Sequence, residues 1–329
     1  MDLTVDINAE GIQAGFIRVP NSSNRSAYGF MPVPVVVARK GAGPTALLTA
    51  AVHGDEYEGP LLLTRLIQSL EALPLTGRLI ILPVVNLAAF QAGTRNSSVD
   101  EINFNRGFGG ASATGSSDKL LCYIEHKLMD EADFAIDFHS GGRTLNYGQQ
   151  ASVYRTEDGE AVDLGPKRHA LAADMGLPVG LIYKTAVGEG GSLLSAAARR
   201  GIPAIATELG GSGITDQFLV DAGYAALIRV LARRGLLPGD PEGGSRTQFY
   251  NVHGMTSCIF ADGPGIFAAR VACGDHLQPG QEVGAIVEPE RPWLPAQTIR
   301  ATAEGTVLAL RAMPQTSAGD CLVQWGSAL

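Results

Sequence analysis

The chain has 329 residues, of which 45% are hydrophobic and 18% are charged, and its formal net charge is −8. This composition is typical of a globular protein with a buried core, and it excludes a disordered chain. Because no cluster of Lys and Arg is present, no nucleic-acid partner is expected, and no apolar run reaches the about 18 residues of a membrane span.

The cellular compartment is indicated by the start of the chain and by its cysteines. The first residues, MDLTVDINAEG, contain early acids and lack the apolar region of a signal peptide. The four cysteines share no close spacing and form no CxxC pair. Both observations predict a protein of the reducing cytoplasm.

Short β-rich runs alternate with helical stretches from about residue 45 to residue 235. Strands are predicted at 45–52, 78–85, 134–138, 179–183 and 202–207, and helices at 59–73, 120–132, 167–175, 192–200 and 215–234. This alternation predicts an α/β region with a largely parallel sheet that helices cover on both faces. In such sheets, ligands bind where the carboxyl ends of strands meet the following loops.

The segment 236–248 is rich in Gly, Pro and charge and predicts a linker. We therefore expect an α/β domain over residues 1–238, which carries the candidate catalytic residues, and a β-domain over residues 246–329. Segments 265–286 and 305–325 form a weak internal repeat, which suggests a small barrel-like sandwich. It is similar to the biotinyl/lipoyl fold, but no lysine follows Lys184, so a swinging-arm carrier is excluded.

Three residues that commonly bind metals lie at the predicted carboxyl ends of strands. His53 and Glu56, in VHGDEYEG, follow the strand that ends near Val52, and Gly54 between them is expected to let the chain turn sharply. His139, in DFHSGG, follows a second strand. Two imidazoles and one carboxylate leave the fourth position of zinc to water, as in catalytic sites.

Two acidic residues have alternative interpretations. Asp137 either orients the imidazole of His139 or caps the next loop. Glu208, in TELGG, either takes a proton from the attacking water and delivers it to a leaving amine, or caps a helix.

The loop at 94–110 carries Arg95 and the pair Asn105–Arg106 in a stretch too polar for a core. Arginine can bind a carboxylate through two hydrogen bonds or stabilise an oxyanion; the alternative is a solvated surface residue. No GxSxG elbow or GxxxxGK[ST] phosphate loop is present, so serine-nucleophile and nucleotide chemistry are not supported.

Taken in order, HGDEYEG, INFNRGF, DFHSGG and TELGG resemble the succinylglutamate desuccinylase/aspartoacylase family, over nearly the whole chain. Segments 20–37 and 92–108 look most similar to its branch of N-alpha-acetyl-L-2,4-diaminobutyrate deacetylases. The resemblance implies a zinc-carboxypeptidase-like mixed sheet covered by helices, followed by a small all-β domain, and suggests a homodimer.

The resemblance also implies roles for individual residues. His53, Glu56 and His139 match the ligands of one Zn²⁺ per chain. Glu208 matches the general base, Arg95 matches the arginine that polarises the scissile carbonyl, and Asn105 with Arg106 match the pair that holds the substrate carboxylate.

The chain departs from the branch at NRGFGG, where NRSFPG is usual, and at Arg143. Gly109 in place of proline is expected to loosen the loop behind Arg106. Both positions are expected to lie near the substrate pocket.

The expected function is zinc-dependent hydrolysis of the amide bond of a small N-acylated amino acid, most simply N-alpha-acetyl-L-2,4-diaminobutyrate. The alternatives are an aspartoacylase or succinylglutamate desuccinylase, a metallocarboxypeptidase acting on peptides, and a metal-binding protein without catalysis. The last of these would be expected to lack Glu208 or Arg95, and both are present.

Overall fold

A computed structural model describes residues 1–24, 26–110, 114–157, 164–185, 190–239 and 243–329. The α-helices are α1 Glu58–Ser69, α2 Leu87–Ala92, α3 Phe104–Gly107, α4 Ser116–Tyr123, α5 Gly165–Met175, α6 Leu193–Arg199 and α7 Gln217–Arg233. The strands are β1 Asp2–Leu3, β2 Gly11–Pro20, β3 Phe30–Lys40, β4 Thr45–Ala50, β5 Gly77–Leu82, β6 Phe134–His139, β7 Leu145–Glu157, β8 Val179–Thr185, β9 Ala204–Gly211, β10 Gln248–Val252, β11 Cys258–Phe260, β12 Gly265–Ala269, β13 His276–Leu277, β14 Glu282–Val287, β15 Gln297–Arg300, β16 Gly305–Arg311, β17 Gln315–Thr316 and β18 Cys321–Ala328.

The main sheet is mixed, with the strand order β1-β2-β3-β5-β4-β6-β9-β7-β8-β10-β18-β16-β13. Its centre, β5-β4-β6-β9, is parallel. On one side β3 adds antiparallel to β5, and on the other β7 adds antiparallel to β9. The predicted α/β class and the mixed sheet are confirmed, whereas the largely parallel arrangement holds for the centre only.

The central strands are buried because both faces of the sheet are covered. Strands β4, β5 and β6 are buried at every residue, which accounts for their nearly continuous apolar sequences. Leu62 of α1 and Val230 of α7 belong to the core on one face, and Leu120 of α4 and Leu193 of α6 belong to the core on the other.

Each predicted helix is present, but the one predicted at 120–132 is divided. Helix α4 ends at Tyr123, and a π-helical turn, Ile124–Leu128, and a 3₁₀ turn, Met129–Glu131, continue it. No described helix combines the length and the apolar character needed to cross a membrane.

The C-terminal repeat corresponds to two intertwined units. The first unit consists of β12, the two-residue strand β13 and β14, in that order along the chain. The second unit consists of β16, the two-residue strand β17 and β18. Each two-residue strand pairs with the first strand of the other unit, β13 with β16 and β17 with β12. An outer strand completes each unit, since β15 pairs with β14 and β11 pairs with β18. The expected small all-β sandwich is therefore present.

The C-terminal region has a hydrophobic core of its own, which includes Phe267, Leu277 and Leu322. Its strands nevertheless extend the main sheet, because β18 pairs with β10, and β16 pairs with β7. Of the predicted linker, residues 240–242 lie outside the described residues. Thr247 Oγ1 donates to the carbonyl of Leu177 (2.8 Å), so this part packs against the α/β region. The domain limits 1–238 and 246–329 stay a prediction.

Candidate active site

His53, Glu56 and His139 meet at the carboxyl-terminal edge of the central strands. His53 follows β4, and His139 is the last residue of β6, which lies beside β4. Nδ1 of His53 is 2.7 Å from Oε1 of Glu56, and Nδ1 of His139 is 2.7 Å from Oε2 of the same carboxylate. All three residues are buried. The structure therefore brings together the three residues that the sequence predicts as metal ligands.

The outer nitrogen of each imidazole has a partner that sets the orientation of the ring. Nε2 of His139 is 2.7 Å from Oδ2 of Asp137, whose Oδ1 accepts a hydrogen bond from Thr49 Oγ1 (2.7 Å). Nε2 of His53 is 3.1 Å from Oδ1 of Asn103. Asp137 therefore contacts the imidazole, as one of its two interpretations predicts, and both rings present Nδ1 to a common point.

The charges in this cluster are strongly coupled. Burial alone would raise the pKa of Glu56, but His53 and His139 outweigh it and hold that pKa below its ordinary value. Burial lowers the pKa of His53. Burial also opposes protonation of His139, yet Asp137 and Glu56 hold its pKa well above the ordinary value. Asp137 and Glu56 thus favour a positive charge on the ring of His139.

These donor atoms fit a metal ion. One ligand atom from each of His53, Glu56 and His139 lies within 4.8 Å of the others. Nitrogen from neutral imidazole and oxygen from carboxylate suit divalent first-row metals, among them zinc. The three residues could therefore hold a metal, with the outer nitrogens already engaged by Asn103 and Asp137.

Gly54 is required for a reason other than the expected one. Its backbone is not in the left-handed region, so the turn needs no glycine. A Cβ atom at this position would instead lie 2.0 Å from the carbonyl carbon of Ala89 in α2. Glycine lets the loop with His53 and Glu56 pack directly on the backbone of that helix.

Glu208 lies in β9 opposite His139 in the parallel register. Burial and the carboxylate of Glu56 raise the pKa of Glu208 well above its ordinary value, while His139 and Arg95 act in the opposite direction. Its Oε2 atom is buried and has no hydrogen-bond partner among the described residues. The carboxyl group therefore lies at the same edge of the sheet as His53, Glu56 and His139 (the triad), and it belongs to a strand and not to a helix cap.

Arg95 is partly open to solvent, with 44% of its side chain exposed, and it points toward the triad. Its Nη1 donates to Oε1 of Glu56 over 3.4 Å. This long contact leaves the guanidinium close to the carboxylate of Glu56, and the role of Arg95 stays a prediction.

Asn105 and Arg106 lie in α3, which His53 contacts through the capping residue Asn103. The side-chain oxygen of Asn105 accepts from the amide of Leu193 at the start of α6 (3.1 Å). The guanidinium of Arg106 is exposed and donates to the carbonyl of Asn105. The two residues are thus tied to the triad through α3, but their described contacts are not with the triad itself.

The loop at Gly109 has contacts that depend on glycine, and the expected loosening stays a prediction. Gly109 has φ of 80°, and its amide donates to Oε2 of Glu125 (3.0 Å). The guanidinium of Arg199 packs against it and also binds Glu125, at 2.8 Å and 3.1 Å. A proline has neither this φ nor an amide hydrogen, so glycine here fastens the loop to the buried Glu125.

Arg143, the other departure from the branch, has an exposed side chain. Its backbone amide donates to Oδ2 of Asp55 (3.0 Å), which connects the loop after His139 to the loop after His53.

Three further residues of this region are not among the candidates named from the sequence. Asn103 and Thr49 orient the ligands, and Tyr147 lies beside Glu208. The signal for Asn103 is its place before FNRG, since asparagine is a preferred helix N-cap. Thr49 lies opposite Asp137 in the neighbouring strand, a relation that no linear pattern contains.

Known proteins resemble this chain in sequence and in structure. A family model described as the succinylglutamate desuccinylase/aspartoacylase catalytic domain matches residues 42–234. The N-alpha-acetyl-L-2,4-diaminobutyric acid deacetylase of Halomonas elongata is 33% identical over 322 residues, which cover 97% of this chain and 92% of that protein.

Two solved structures are similar over their whole length. The product-bound ectoine utilization protein EutE (DoeB) from Ruegeria pomeroyi has a TM-score of 0.91 and 31% identity, covering 98% of this chain and 97% of that chain. A succinylglutamate desuccinylase/aspartoacylase from Rhodobacter sphaeroides has a TM-score of 0.91 and 29% identity, covering 100% and 99%. The catalytic-domain model matches more than half of the chain, and a relative with 33% identity spans nearly all of it. The chain therefore belongs to the succinylglutamate desuccinylase/aspartoacylase family.

Proposed function

We propose that the protein is a zinc-dependent amidohydrolase that removes the acetyl group from N-alpha-acetyl-L-2,4-diaminobutyrate or from a closely related N-acyl amino acid. The observation that supports this most directly is the convergence of His53, Glu56 and His139 beside Glu208. The choice of substrate follows the relative from Halomonas elongata, which is named for that deacetylation.

The metal that this proposal requires is one Zn²⁺ per chain, held by His53, Glu56 and His139. Bound there, zinc supplies an acidified water and polarises the scissile carbonyl. Asn103 and Asp137 keep the two rings turned toward it, because each occupies the outer nitrogen of one ring.

In the proposed mechanism, Glu208 moves the protons. Its carboxylate takes a proton from the attacking water and returns it to the departing amine. The raised pKa that burial gives this group suits it to hold the proton between the two transfers. The positive charge of Arg95, which faces the triad, offsets the charge that develops on the carbonyl oxygen.

Asn105 and Arg106 are proposed to bind the substrate carboxylate. The guanidinium of Arg106 is exposed, and its planar group can donate two parallel hydrogen bonds. Asn105 fixes α3 against α6 through Leu193, which keeps the guanidinium in place.

A cytoplasmic location is part of the proposal, and the four cysteines, all of which are free thiols, are consistent with it. The homodimer stays a prediction.

The test is amine release by zinc-loaded protein from N-alpha-acetyl-L-2,4-diaminobutyrate, with N-acetylaspartate, N-succinylglutamate and a dipeptide in parallel. Turnover of the first compound alone supports the full proposal. Turnover of another compound keeps the mechanism and replaces the substrate, and hydrolysis of the dipeptide alone would indicate a carboxypeptidase.

The Glu208→Gln variant tests the assigned base. It should keep its zinc while kcat falls by about 10²- to 10⁴-fold. Retained activity in that variant would refute the role of Glu208, whichever substrate is used.

A further inference from the structure

Helix α6 holds the segment that contains Arg106 at both of its ends. At the first residue of this helix, the amide of Leu193 donates to the side-chain oxygen of Asn105 (3.1 Å). At the last residue of the helix, the guanidinium of Arg199 packs against Gly109. Arg106, the proposed partner of the substrate carboxylate, therefore lies between two attachments to one helix.

The attachment at Gly109 depends on an ion pair with a buried carboxylate. Nε and Nη2 of Arg199 donate to Oε1 and Oε2 of Glu125 over 2.8 Å and 3.1 Å, and the amide of Gly109 donates to the same Oε2 over 3.0 Å. Glu125 lies in the π-helical turn after α4, with 3% of the residue exposed. Two parallel hydrogen bonds from a guanidinium fix the orientation of a carboxylate, so Glu125 presents Oε2 to the amide in a set direction.

Arg199 also holds a second segment, which packs on the backbone of Arg106. Its Nη1 donates to the carbonyl of Gly190. The next residue, Gly191, accepts a hydrogen bond from the amide of Phe108 (3.1 Å). A Cβ atom on Gly191 would overlap the backbone carbonyl of Arg106, so the two backbones are in direct contact. One guanidinium thus restrains the surroundings of Arg106 in two ways.

The attachment at Gly109 depends on a departure of this chain from the deacetylase branch that it resembles. Where that branch usually has proline, the backbone has no amide hydrogen to donate, and this hydrogen bond to Glu125 cannot form. Burying a charged pair also costs free energy that an apolar pair of similar volume does not. A contribution to stability alone therefore does not account for Glu125 and Arg199.

We propose that Glu125 and Arg199 are positioning residues for Arg106, and that they set how tightly the protein binds the carboxylate of its substrate. They act through the backbone, because Glu125 holds Gly109 and Arg199 holds the segment 190–191 against Arg106. This inference rests on the proposed function, and in particular on the role proposed for Arg106.

The test compares two compounds, N-alpha-acetyl-L-2,4-diaminobutyrate and N-acetyl-1,3-diaminopropane, which has the same amide and amine but lacks the carboxylate. Arg199→Met should raise KM for the first compound by about 10-fold, the effect of losing one hydrogen bond to a charged group. KM for the second compound (or its inhibition constant, if it is not hydrolysed), kcat and the zinc content should stay unchanged. Arg199→Lys keeps the charge and should raise the first KM by less.

Two further variants separate this effect from a loss of stability. Glu125→Gln/Arg199→Met removes both charges and leaves no buried charge unpaired, and it should raise the first KM as Arg199→Met does. The matched control is Arg200→Met. Arg200 follows Arg199 in the chain, and its Nε donates to the exposed Asp130 in the 3₁₀ turn after the π-helical turn (2.6 Å). This variant should leave both KM values unchanged.

Three kinetic results would overturn the proposal. The first is an unchanged KM for the carboxylate compound in Arg199→Met. The second is an equal rise of KM for both compounds, which indicates a general structural effect. The third is an equal rise in Arg200→Met, which shows that any ion pair at this end of α6 has the same influence.

Hydrogen exchange tests the attachment without turnover, and so separately from the proposed function. The amides of Phe108 and Gly109 should exchange faster in Arg199→Met than in the wild type and in Arg200→Met. Unchanged exchange rates contradict the attachment, whereas faster exchange with an unchanged KM contradicts the positioning of Arg106. If the wild type hydrolyses neither compound, the proposed function fails, and the exchange rates still decide whether Arg199 holds this segment.

Discussion

Nε2 of His139 lies 2.7 Å from Oδ2 of Asp137, and the opposite nitrogen of the same ring lies 2.7 Å from Glu56. The imidazole is thus held between two carboxylates: Glu56, which belongs to the triad, and Asp137, which lies outside it. Because Asp137 is fully buried and bonded to Thr49, it cannot turn away to solvent. Its effect on His139 is therefore built into the sheet.

Asp137→Asn should weaken zinc binding by about 10- to 100-fold, because the imidazole loses the charged group that orients it and raises its basicity. The measurement is a competition titration of zinc against a chelator of known affinity. Thr49→Val, which removes only the hydrogen bond to Asp137, should have a smaller effect. Equal zinc affinity of Asp137→Asn and the wild type would show that Asp137 is structural.

Asn103→Ala should weaken both the fold and the metal site. Asn103 accepts from the amide of Asn105 as the cap of α3, and it also meets His53. Loss of a helix cap lowers the free energy of unfolding by about 1 kcal/mol, and loss of the contact with His53 should lower zinc affinity. The control is Asp216→Ala, which removes the cap of α7. The thermal melting temperature of this variant should fall, while its zinc affinity should stay the same.

Gly54→Ala should destabilise the protein by about 1–3 kcal/mol, the usual cost of overpacking, and should reduce bound zinc. The added methyl would lie 2.0 Å from the backbone of α2, so the loop that carries His53 and Glu56 has to move. Urea denaturation and metal analysis measure both effects. At Gly263 a Cβ meets no atom within 4 Å, and Gly263→Ala should leave both quantities unchanged.

Gly109→Pro, which introduces the residue usual in the deacetylase branch, should lower the free energy of unfolding by about 1–3 kcal/mol. Proline cannot adopt the φ of 80° and cannot donate to Glu125. Gly109→Ala keeps the donor and should cost less, since its methyl meets only the flexible end of Arg199. A proline variant as stable as the wild type in urea would contradict this account of the loop.

The parallel centre of the fold could be predicted from the sequence, and its margins could not. TALLTA, GRLIIL and FAIDFH are apolar because helices cover both faces, so each is a clear strand signal. Strand β7 contains LNYGQQ, with Gly148 at φ of 64°, and such a polar stretch reads as a loop. Strand β2 exposes Phe16, which weakens the alternation that would have identified it.

The proposed metal ligands could be predicted because they lie where strands end. The residues that orient them could not be predicted in the same way. His53 and His139 each follow an apolar run, and Glu56 stands three residues after His53. Thr49 and Asn103 contact residues far away in the chain: the sheet register places Thr49 beside Asp137, and the start of α3 places Asn103 beside His53. For the same reason, the contacts of Gly109 with Glu125 and Arg199 could not be predicted.

The placement of β18 has a consequence for the order in which the protein is made. This strand pairs with β10, β11 and β16, and all three leave the ribosome before it does. Until β18 emerges, the edges of β10 and β16 that it covers have no partner. The central strands are complete much earlier and can form before β18 is available. The nascent chain therefore passes through a stage with unpaired strand edges, which favour unwanted association.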